Sequence, residues 1–442
     1  MQGPTLQDAL DAAGSAVDLL WKPNTPPVVV PVVPAEFSGW RNEQRSWESG
    51  VALFDLSHHM ADLFVDGRDA VRLLADVSAN NFENFAIGQA KQLITVAPDG
   101  HLIQDAIVGR LADQSFNVIG IGTTHSWIAY HAQARGYDVQ LKLDPASDFR
   151  EGDPILFRYQ VQGPMAGQVL RRLFGDALDG IKFFHFRTVE LEGRRFNALR
   201  HGMAGQAGFE FFGPWEHADF VKAELLRAGE AEGITQVGGR AYYTVGVDSG
   251  WMATPVPAIY TSPELEGFRR FTSVFSYEGM GALQGSFYSA NIEDYYLSPY
   301  ELGYGRSISL SHDFIGRDAL AAAKDEVRRA KVTLVWNPDD VERVFGADHD
   351  LIHSYTKDRV EVGSTLVGVS EYAAYMEPSG TVHSLAVVDV DHAKAGTKLT
   401  LRWGQHPGPA AGSDYREDFA AIRATVRPAP FHDYARTAYR AG

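Results

Sequence analysis

The segment from Gly238 to Trp251, GGRAYYTVGVDSGW, concentrates side chains that could do chemistry. It carries the cation Arg240, the phenol Tyr242, the carboxyl group of Asp248 and the indole of Trp251. A charge, a proton donor and a stacking ring could meet there in one cleft. The alternative interpretation is that the aromatic residues pack in the core with their polar tips satisfied, as buried tyrosine and tryptophan commonly do.

The doublet His58-His59 follows the strand-like stretch LFDLS and suggests either a metal ligand or a polar active-site group. No His-x-x-x-His spacing supports a metal, so we predict no metal site. Adjacent residues of a strand face opposite sides, so only one histidine of the pair needs to enter a pocket. A single catalytic or substrate-contacting histidine is the better prediction.

Three common classes of active-site loop are not indicated by the sequence. Gly279, Gly281 and Gly285 in EGMGALQG lack the spacing and the preceding hydrophobic strand of a dinucleotide-binding loop. We therefore expect turn or close-packing glycines there. The chain has neither a phosphate-binding loop that ends in Gly-Lys-Ser/Thr nor a Gly-x-Ser-x-Gly elbow, which argues against nucleotide hydrolysis and serine-hydrolase chemistry.

The composition restricts the class of protein. The 442 residues include 40 Lys and Arg against 56 Asp and Glu, with a formal net charge of -16 and 45% hydrophobic residues. We expect a globular chain of about two to four domains. The acidic balance argues against nucleic-acid partners, which attract concentrated Lys and Arg. The absence of cysteine excludes disulfides, Cys-ligated metals and thiol nucleophiles.

The expected location is cytoplasmic, without a membrane partner. The first residues have no basic opening and no secretory signal is visible. The most aliphatic run, Val28 to Val33, is short and interrupted by Pro31, whereas a membrane helix needs about 20 apolar residues. The sequence leaves the oligomeric state open.

The hydrophobic periodicity predicts an α+β protein. Helices are expected over residues 6 to 21, 40 to 47, 126 to 135 and 215 to 232. Short strands joined by turns follow from Met60, which favours antiparallel pairing. After Lys331 the chain becomes rich in β-branched strands, which predicts a separate C-terminal β-barrel or sandwich, with residues 324 to 331 as the linker.

Several separated motifs resemble the glycine-cleavage T-protein (aminomethyltransferase) superfamily. They are QGP at 162 to 164, GFEFFG at 208 to 213, GGRAYY at 238 to 243, SGW at 249 to 251 and ELGYG with DFIGRDAL at 301 to 320. Within the superfamily the chain is most similar to tetrahydrofolate-dependent aryl O-demethylases that act on vanillate and 3-O-methylgallate. That similarity extends from PVVPAEFSGWRNEQ through LFDLSHHM, RHGMAG and NIEDYY to the last strands.

The resemblance implies a multi-domain fold in which residues 1–326 form a folate- and substrate-binding catalytic region of two intertwined α+β lobes. Residues 327–442 would form a C-terminal β-barrel domain. It also implies tetrahydrofolate as cofactor. Matching motif by motif, the folate-binding residues would be Gln160, Glu210 and Trp251, with Tyr242 beside them. Tyr242 and His59 would be the catalytic pair, and His59 would also line the substrate pocket.

This chain departs from the vanillate enzymes at three pocket positions. Val28 and Val30 stand where those enzymes have two tyrosines, Ile121 replaces an arginine that holds the substrate carboxylate, and Leu56 replaces a glutamine. Val30, Leu56 and Ile121 would make the pocket more apolar and favour a more hydrophobic methoxyarene. Arg110 could supply a replacement cation, although a solvent-facing arginine is the commoner case.

The resemblance implies an enzyme that transfers the methyl group of an aryl methyl ether to tetrahydrofolate, giving a phenol and 5-methyltetrahydrofolate. One alternative is an aminomethyltransferase-like enzyme or a demethylase of a methylated amine or sulfonium compound. Glycine cleavage is less favoured, because aminomethyltransferases have two adjacent aspartates where LIQDAIV keeps only Asp105. A non-catalytic folate-binding protein is the other alternative.

Overall fold

Three β-sheets organise the chain, and helices pack against each of them. The computed structural model describes residues 3–26, 32–347, 351–416 and 418–440. The described α-helices are α1 Leu6–Ala13, α2 Ala16–Leu20, α3 Trp40–Ser49, α4 Ala70–Asp76, α5 Gly122–Arg135, α6 Ala166–Phe174, α7 Ala218–Gly229, α8 Gly239–Tyr242, α9 Val245–Ser249, α10 Glu266–Phe271, α11 Tyr277–Met280, α12 Arg317–Ala323, α13 Pro338–Phe345 and α14 Asp433–Arg436. The described strands are β1 Ala52–Asp55, β2 Ala61–Asp66, β3 Ala90–Val96, β4 Leu102–Ala112, β5 Ser115–Gly120, β6 Gln140–Asp144, β7 Leu156–Gln162, β8 Phe186–Leu191, β9 Arg194–Leu199, β10 Gly208–Pro214, β11 Thr235–Val237, β12 Arg329–Trp336, β13 His353–Ser354, β14 Asp358–Val362, β15 Thr365–Met376, β16 Thr381–Asp389, β17 Lys398–Trp403 and β18 Ala420–Arg427.

The first predicted helix, residues 6 to 21, is two helices in the structure. The Thr5 hydroxyl accepts from the Asp8 amide and the Asp8 carboxylate accepts from the Thr5 amide, which forms a capping box at the start of α1. Gly14 adopts a φ of 85° and ends α1, and the Ser15 hydroxyl then caps α2. The prediction of one helix was wrong because apolar spacing does not reveal a left-handed glycine that interrupts it.

The other predicted helices differ from the structure only in their bounds. The helix predicted over residues 40 to 47 is α3. The one predicted over 126 to 135 begins four residues earlier, as α5. The one predicted over 215 to 232 is α7 with a single 3₁₀ turn at each end.

The second sheet has one apolar face and one face that carries polar residues of β7 and β10. The first sheet has the strand order β3-β4-β5-β2-β6 and the second has the order β11-β1-β7-β10-β9-β8. One face of the second sheet packs on α6 and α7 through apolar residues such as Phe157, Val161 and Leu225. Because side chains alternate along a strand, the intervening residues of β7 and β10 face the opposite side.

The third sheet closes into a barrel. Strands β15-β14-β17-β18-β12-β16 form a ring, since β15 also pairs with β16, and β13 adds to β15. This confirms the α+β class and the barrel alternative for the C-terminal region. The predicted linker was too long at its end, because residues 329 to 331 already belong to β12. The division of the chain into residues 1–326 and 327–442 stays a prediction.

Two of the three glycines of EGMGALQG, Gly279 and Gly285, serve close packing. A Cβ atom on Gly279 would lie 2.1 Å from the Val274 carbonyl oxygen. Gly285 has a φ of 115°, and a Cβ atom there would lie 2.4 Å from the Lys357 carbonyl oxygen. Neither position has room for a side chain.

Candidate active site

The antiparallel register of the second sheet brings Gln160 and Glu210 together. Gln160 on β7 lies directly opposite Glu210 on β10, and Phe54 on β1 is its partner on the other side. The Gln160 Nε2 amide donates to Glu210 Oε2 at 2.6 Å. Both side chains are almost fully buried, at 1% and 4% exposure. A carboxylate and a carboxamide side by side can read a heterocycle that presents both donors and acceptors.

Arg158 lies two residues before Gln160 on the same face of β7 and is 2% exposed. Its Nη1 atom donates to Glu210, and its Nη2 atom donates to Asp62 at 2.8 Å and to Asn117 at 3.3 Å. Burial raises the pKa of Glu210, but the Arg158 charge, the His201 imidazole and the hydrogen bonds outweigh this and hold it below its usual value. Glu210 is therefore an ionised acceptor at neutral pH.

Tyr242 and His59 form a second polar pair. Tyr242 ends the short helix α8, and its hydroxyl is hydrogen-bonded to His59 Nε2, with ring centroids 4.3 Å apart. Burial, then the phenols of Tyr243 and Tyr355 and the charge of Glu210, raise the pKa of Tyr242 well above its usual value. Burial lowers the pKa of His59 to about 3. Both groups are therefore uncharged at neutral pH. The hydrogen bond joins a neutral phenol to a neutral imidazole.

Met203 joins the two pairs, and sequence reasoning did not single it out. Its backbone amide donates to Gln160 Oε1 at 3.2 Å. Its sulfur accepts a weak hydrogen bond from the Tyr242 hydroxyl at 3.5 Å. The motif RHGMAG had pointed to this loop as part of the resemblance, but a methionine offers no polar pattern by which its role could be found.

Trp251 and Asp105 meet at β4 of the first sheet. The Trp251 Nε1 group donates to both Asp105 oxygens, at 3.2 and 3.0 Å, and the Gln92 amide donates to Asp105 at 2.6 Å. Burial raises the pKa of Asp105, although these hydrogen bonds oppose the shift. The retained aspartate therefore fixes the orientation of the indole that the resemblance implies for folate binding.

The two histidines of the doublet do separate, but they lie in the turn after β1 and not on a strand, so strand alternation is not the cause. His59 contacts Tyr242, whereas His58 Nδ1 lies 3.0 Å from the Ser147 hydroxyl and its ring contacts Trp215 edge-on.

The charged groups of the Gly238-to-Trp251 segment do not meet in one cleft, which corrects the expectation from spacing. Arg240 pairs with Glu36. Asp248 accepts from the Trp47 indole at 3.2 Å. The two short helices α8 and α9 rotate these side chains to different sides, so closeness along the chain does not become closeness in space.

The predicted substrate-pocket residues have different placements. Leu56 is buried in an apolar cluster with Phe54, and Met203 and Tyr242 pack against this cluster. Ile121 immediately precedes α5, and the next residue, Gly122, would place a Cβ atom 3.7 Å from Tyr277 Cβ. Val30, like Val28, lies outside the described residues.

Arg110 does not serve as a replacement cation, contrary to the possibility raised by the sequence. Its guanidinium donates to the backbone oxygens of Phe85, Ala112 and Asp113 and pairs with the Asp113 carboxylate. These contacts stabilise the turn between β4 and β5.

The barrel reaches the site through Tyr355, which sequence reasoning also missed. Tyr355 stacks on Tyr372 with ring centroids 4.7 Å apart, and the Tyr372 hydroxyl donates to the Tyr243 carbonyl. The Tyr355 phenol lies close enough to raise the pKa of Tyr242. Long-range packing of a barrel loop on α8 leaves no local signal in the sequence.

Glu48, Asp248 and His432 are residue types that bind metals, but here they form an ion pair. Oxygen or nitrogen atoms of Glu48, Asp248 and His432 lie within 4.8 Å of one another. His432 Nε2 is 3.0 Å from Glu48 and 3.4 Å from Asp248, and hydrogen bonds to Asp248 and Glu48 raise its pKa to about 10. The imidazole is protonated at neutral pH and offers no lone pair at this nitrogen.

Among the described residues no helix is both long and apolar enough to cross a membrane.

Comparison with known proteins agrees with the motif-level resemblance. Residues 26–255 match the model of the GCVT N-terminal domain. The chain is 37% identical to a syringate O-demethylase of Sphingobium sp., covering 98% of this chain and 97% of that protein. It is 26% identical to a sesamin methylene transferase of Sinomonas sp., covering 91% and 90%.

The fold is also found among solved structures. The glycine cleavage system aminomethyltransferase T of Bartonella henselae superposes with a TM-score of 0.63 at 17% identity, covering 91% of this chain and 92% of that one. With more than half of the chain matching the domain model and a relative aligned over nearly its full length, this protein belongs to the GCVT N-terminal domain family.

Proposed function

We propose that this protein transfers the methyl group of an aryl methyl ether to tetrahydrofolate, giving a phenol and 5-methyltetrahydrofolate. The observation that carries the proposal is the contact of Met203 with both the Gln160–Glu210 pair and the Tyr242–His59 pair. This contact supports a polar recognition site for a heterocycle next to a proton donor. The two full-length relatives, a syringate O-demethylase and a sesamin methylene transferase, support transfer of a one-carbon unit.

The residues present fit a reduced pterin. Glu210 uses one lone pair on each oxygen for Arg158 and Gln160, while a carboxylate offers about four acceptor sites, so acceptors remain for a ligand. Asn117 Nδ2 is buried and has no hydrogen-bond partner among the described residues, so a donor also remains. Gln160, Glu210 and Trp251 would hold the pterin, which supplies the nitrogen that accepts the methyl group.

Tyr242 supplies the proton to the departing aryloxide. The bond to His59 allows two tautomers, and the one with a proton on Nε2 leaves the Tyr242 O–H free to donate to the ether oxygen. His59 then stabilises the phenolate of Tyr242 as its proton moves. Burial raises the pKa of Tyr242, and the same burial raises that of an aryloxide in the site, so the two phenols remain matched.

The pocket favours a substrate without a carboxylate. Leu56 packs beside Tyr242, Ile121 occupies the position of the family's carboxylate-binding arginine, and Arg110 is engaged elsewhere. An uncompensated carboxylate in such surroundings would lose its hydration without gaining a cation. A neutral methoxyphenol or other hydrophobic methoxyarene is the proposed substrate class.

The test is incubation of the purified protein and tetrahydrofolate with matched methoxyarenes that do or do not carry a carboxylate. We expect mass spectrometry to detect phenol and 5-methyltetrahydrofolate, with faster turnover of the neutral member of each pair. A methylated amine and a sulfonium compound complete the panel. Turnover of those donors alone would favour the small-donor alternative, and folate binding without turnover of any donor would favour a binding protein.

A further inference from the structure

Arg158 connects the first and second sheets beside the Gln160–Glu210 pair. It projects from β7 of the second sheet toward Asp62 on β2 and Asn117 on β5 of the first. At the same time it donates to Glu210 on β10 and lies over the Phe212 ring, 5.1 Å from its centroid. One guanidinium thus links its own strand to residues of three others, and its planar set of five donors suits this bridging.

The charges in this network explain why an arginine is buried there. An isolated buried charge is strongly unfavourable, but Arg158 is flanked by two carboxylates, Asp62 and Glu210. Asp62 and Asn117 occupy one side of the guanidinium and Glu210 the other. Arg158 therefore limits where the Glu210 carboxylate can lie, and Gln160 fixes its second oxygen at 2.6 Å.

We propose that Arg158, held by Asp62, is a positioning residue for folate: it holds the Glu210 carboxylate in the orientation in which it can accept hydrogen bonds from the pterin. This inference rests on the proposed function, since it assigns Glu210 to the cofactor. Arg158 acts through Glu210. We expect the pterin to contact Glu210 and Gln160 and not Arg158 itself.

The ionisation of Glu210 depends on the groups that face it from the surrounding elements. These are Arg158, His201, His59 and Tyr242, while Asp62 pairs with the other nitrogen of Arg158. Burial, the largest influence, favours the neutral acid, and the Arg158 charge is the largest opposing one. Without that charge the pKa of Glu210 rises. The carboxyl group then takes up a proton as the pH falls, and the protonated group loses an acceptor site.

The test is calorimetric titration of tetrahydrofolate into wild type and Arg158→Met under anaerobic conditions across a pH series. We expect a nearly constant Kd for wild type. For Arg158→Met we expect a Kd that rises as the pH falls, by up to about tenfold per pH unit below the new pKa of Glu210. Arg158→Lys restores the charge but not the bridge to both carboxylates, so its Kd is raised at every pH while the profile stays flat.

Two further variants separate this role from a general effect on folding. The double variant Arg158→Met, Asp62→Asn removes one buried positive and one buried negative charge. We therefore expect it to fold even if Arg158→Met alone does not. We expect it to show the same pH-dependent Kd. Arg359→Met breaks a buried ion pair with Glu361 in the barrel, and it lowers thermal stability without changing the pH profile of folate binding.

The outcomes also separate this inference from the proposed function. Binding by wild type with an identical, flat profile for Arg158→Met and the double variant overturns the positioning role and leaves the proposed function intact. Binding with the expected profiles but no methyl transfer to folate from any donor supports the role of Arg158 and overturns the proposed function. No folate binding by wild type at any pH overturns both.

Discussion

Replacing Tyr242 by phenylalanine removes one oxygen atom and leaves the packing of the ring unchanged. The ring keeps its edge contacts with Phe54 and Tyr243, whose centroids lie 6.5 and 5.6 Å away. The substitution removes the hydrogen bond to His59 and the contact with the Met203 sulfur. The buried histidine loses its phenol partner, which we expect to lower the free energy of unfolding by about 1–3 kcal/mol.

The effect on methyl transfer should be larger than the effect on stability. Loss of a positioned general acid lowers a rate by about 100- to 10,000-fold. Folate binding should be nearly unchanged, because Gln160 and Glu210 keep all their hydrogen bonds. Single-turnover formation of phenol at saturating tetrahydrofolate measures the chemical step, and calorimetry measures cofactor affinity separately.

Tyr243→Phe is the matched control for this experiment. Tyr243 is the neighbouring tyrosine, and its contact to Tyr372 uses the backbone carbonyl, which the substitution preserves. We expect a single-turnover rate close to that of wild type. A Tyr242→Phe variant that turns over as fast as this control would refute the assignment of Tyr242 as the proton donor.

Two further predictions concern Asp105 and His432. Asp105→Asn leaves a single acceptor for the Trp251 and Gln92 donors, so we expect a higher Kd for tetrahydrofolate in calorimetry with little change in the single-turnover rate at saturation. A large loss of rate at saturation would instead give Asp105 a direct role in the chemistry. His432 has its pKa raised to about 10 from an ordinary 6.5, so its pairing stabilises the fold fully below pH 6.5 and less as the pH rises toward 10. In denaturant unfolding across that range, His432→Asn should be less stable at low pH and should lack this decline; parallel curves for the two proteins would contradict the ion-pair assignment.

Much of the architecture could be predicted from local patterns. Alternating apolar residues and tight turns predicted antiparallel strands, and the β-branched strands after Lys331 predicted a C-terminal barrel or sandwich, which the structure shows to be a barrel. The errors occurred where one residue decides a boundary, as at Gly14, or where a strand continues a charged stretch, as at residues 329 to 331. Apolar periodicity averages over many positions and is insensitive to such single events.

The sequence by itself determined the candidate residues. Motif resemblance singled out Gln160, Glu210, Tyr242 and His59. The argument from strand alternation for one histidine of the doublet does not apply, because the doublet lies in a turn. It also determined the restrictions on chemistry, because a chain without cysteine has no thiol to use. Spacing misled where short helices intervene, as between Arg240 and Asp248.

Only the tertiary structure decided which groups act together. Arg158 is one arginine among many in the sequence, and its importance comes from strands of two sheets that place Asp62 and Glu210 on either side of it. Met203 and Tyr355 likewise reach the site through a loop and a barrel segment far from it along the chain. The physical reason is that hydrogen bonds and charges act over a few ångströms of space, and only the fold sets those distances.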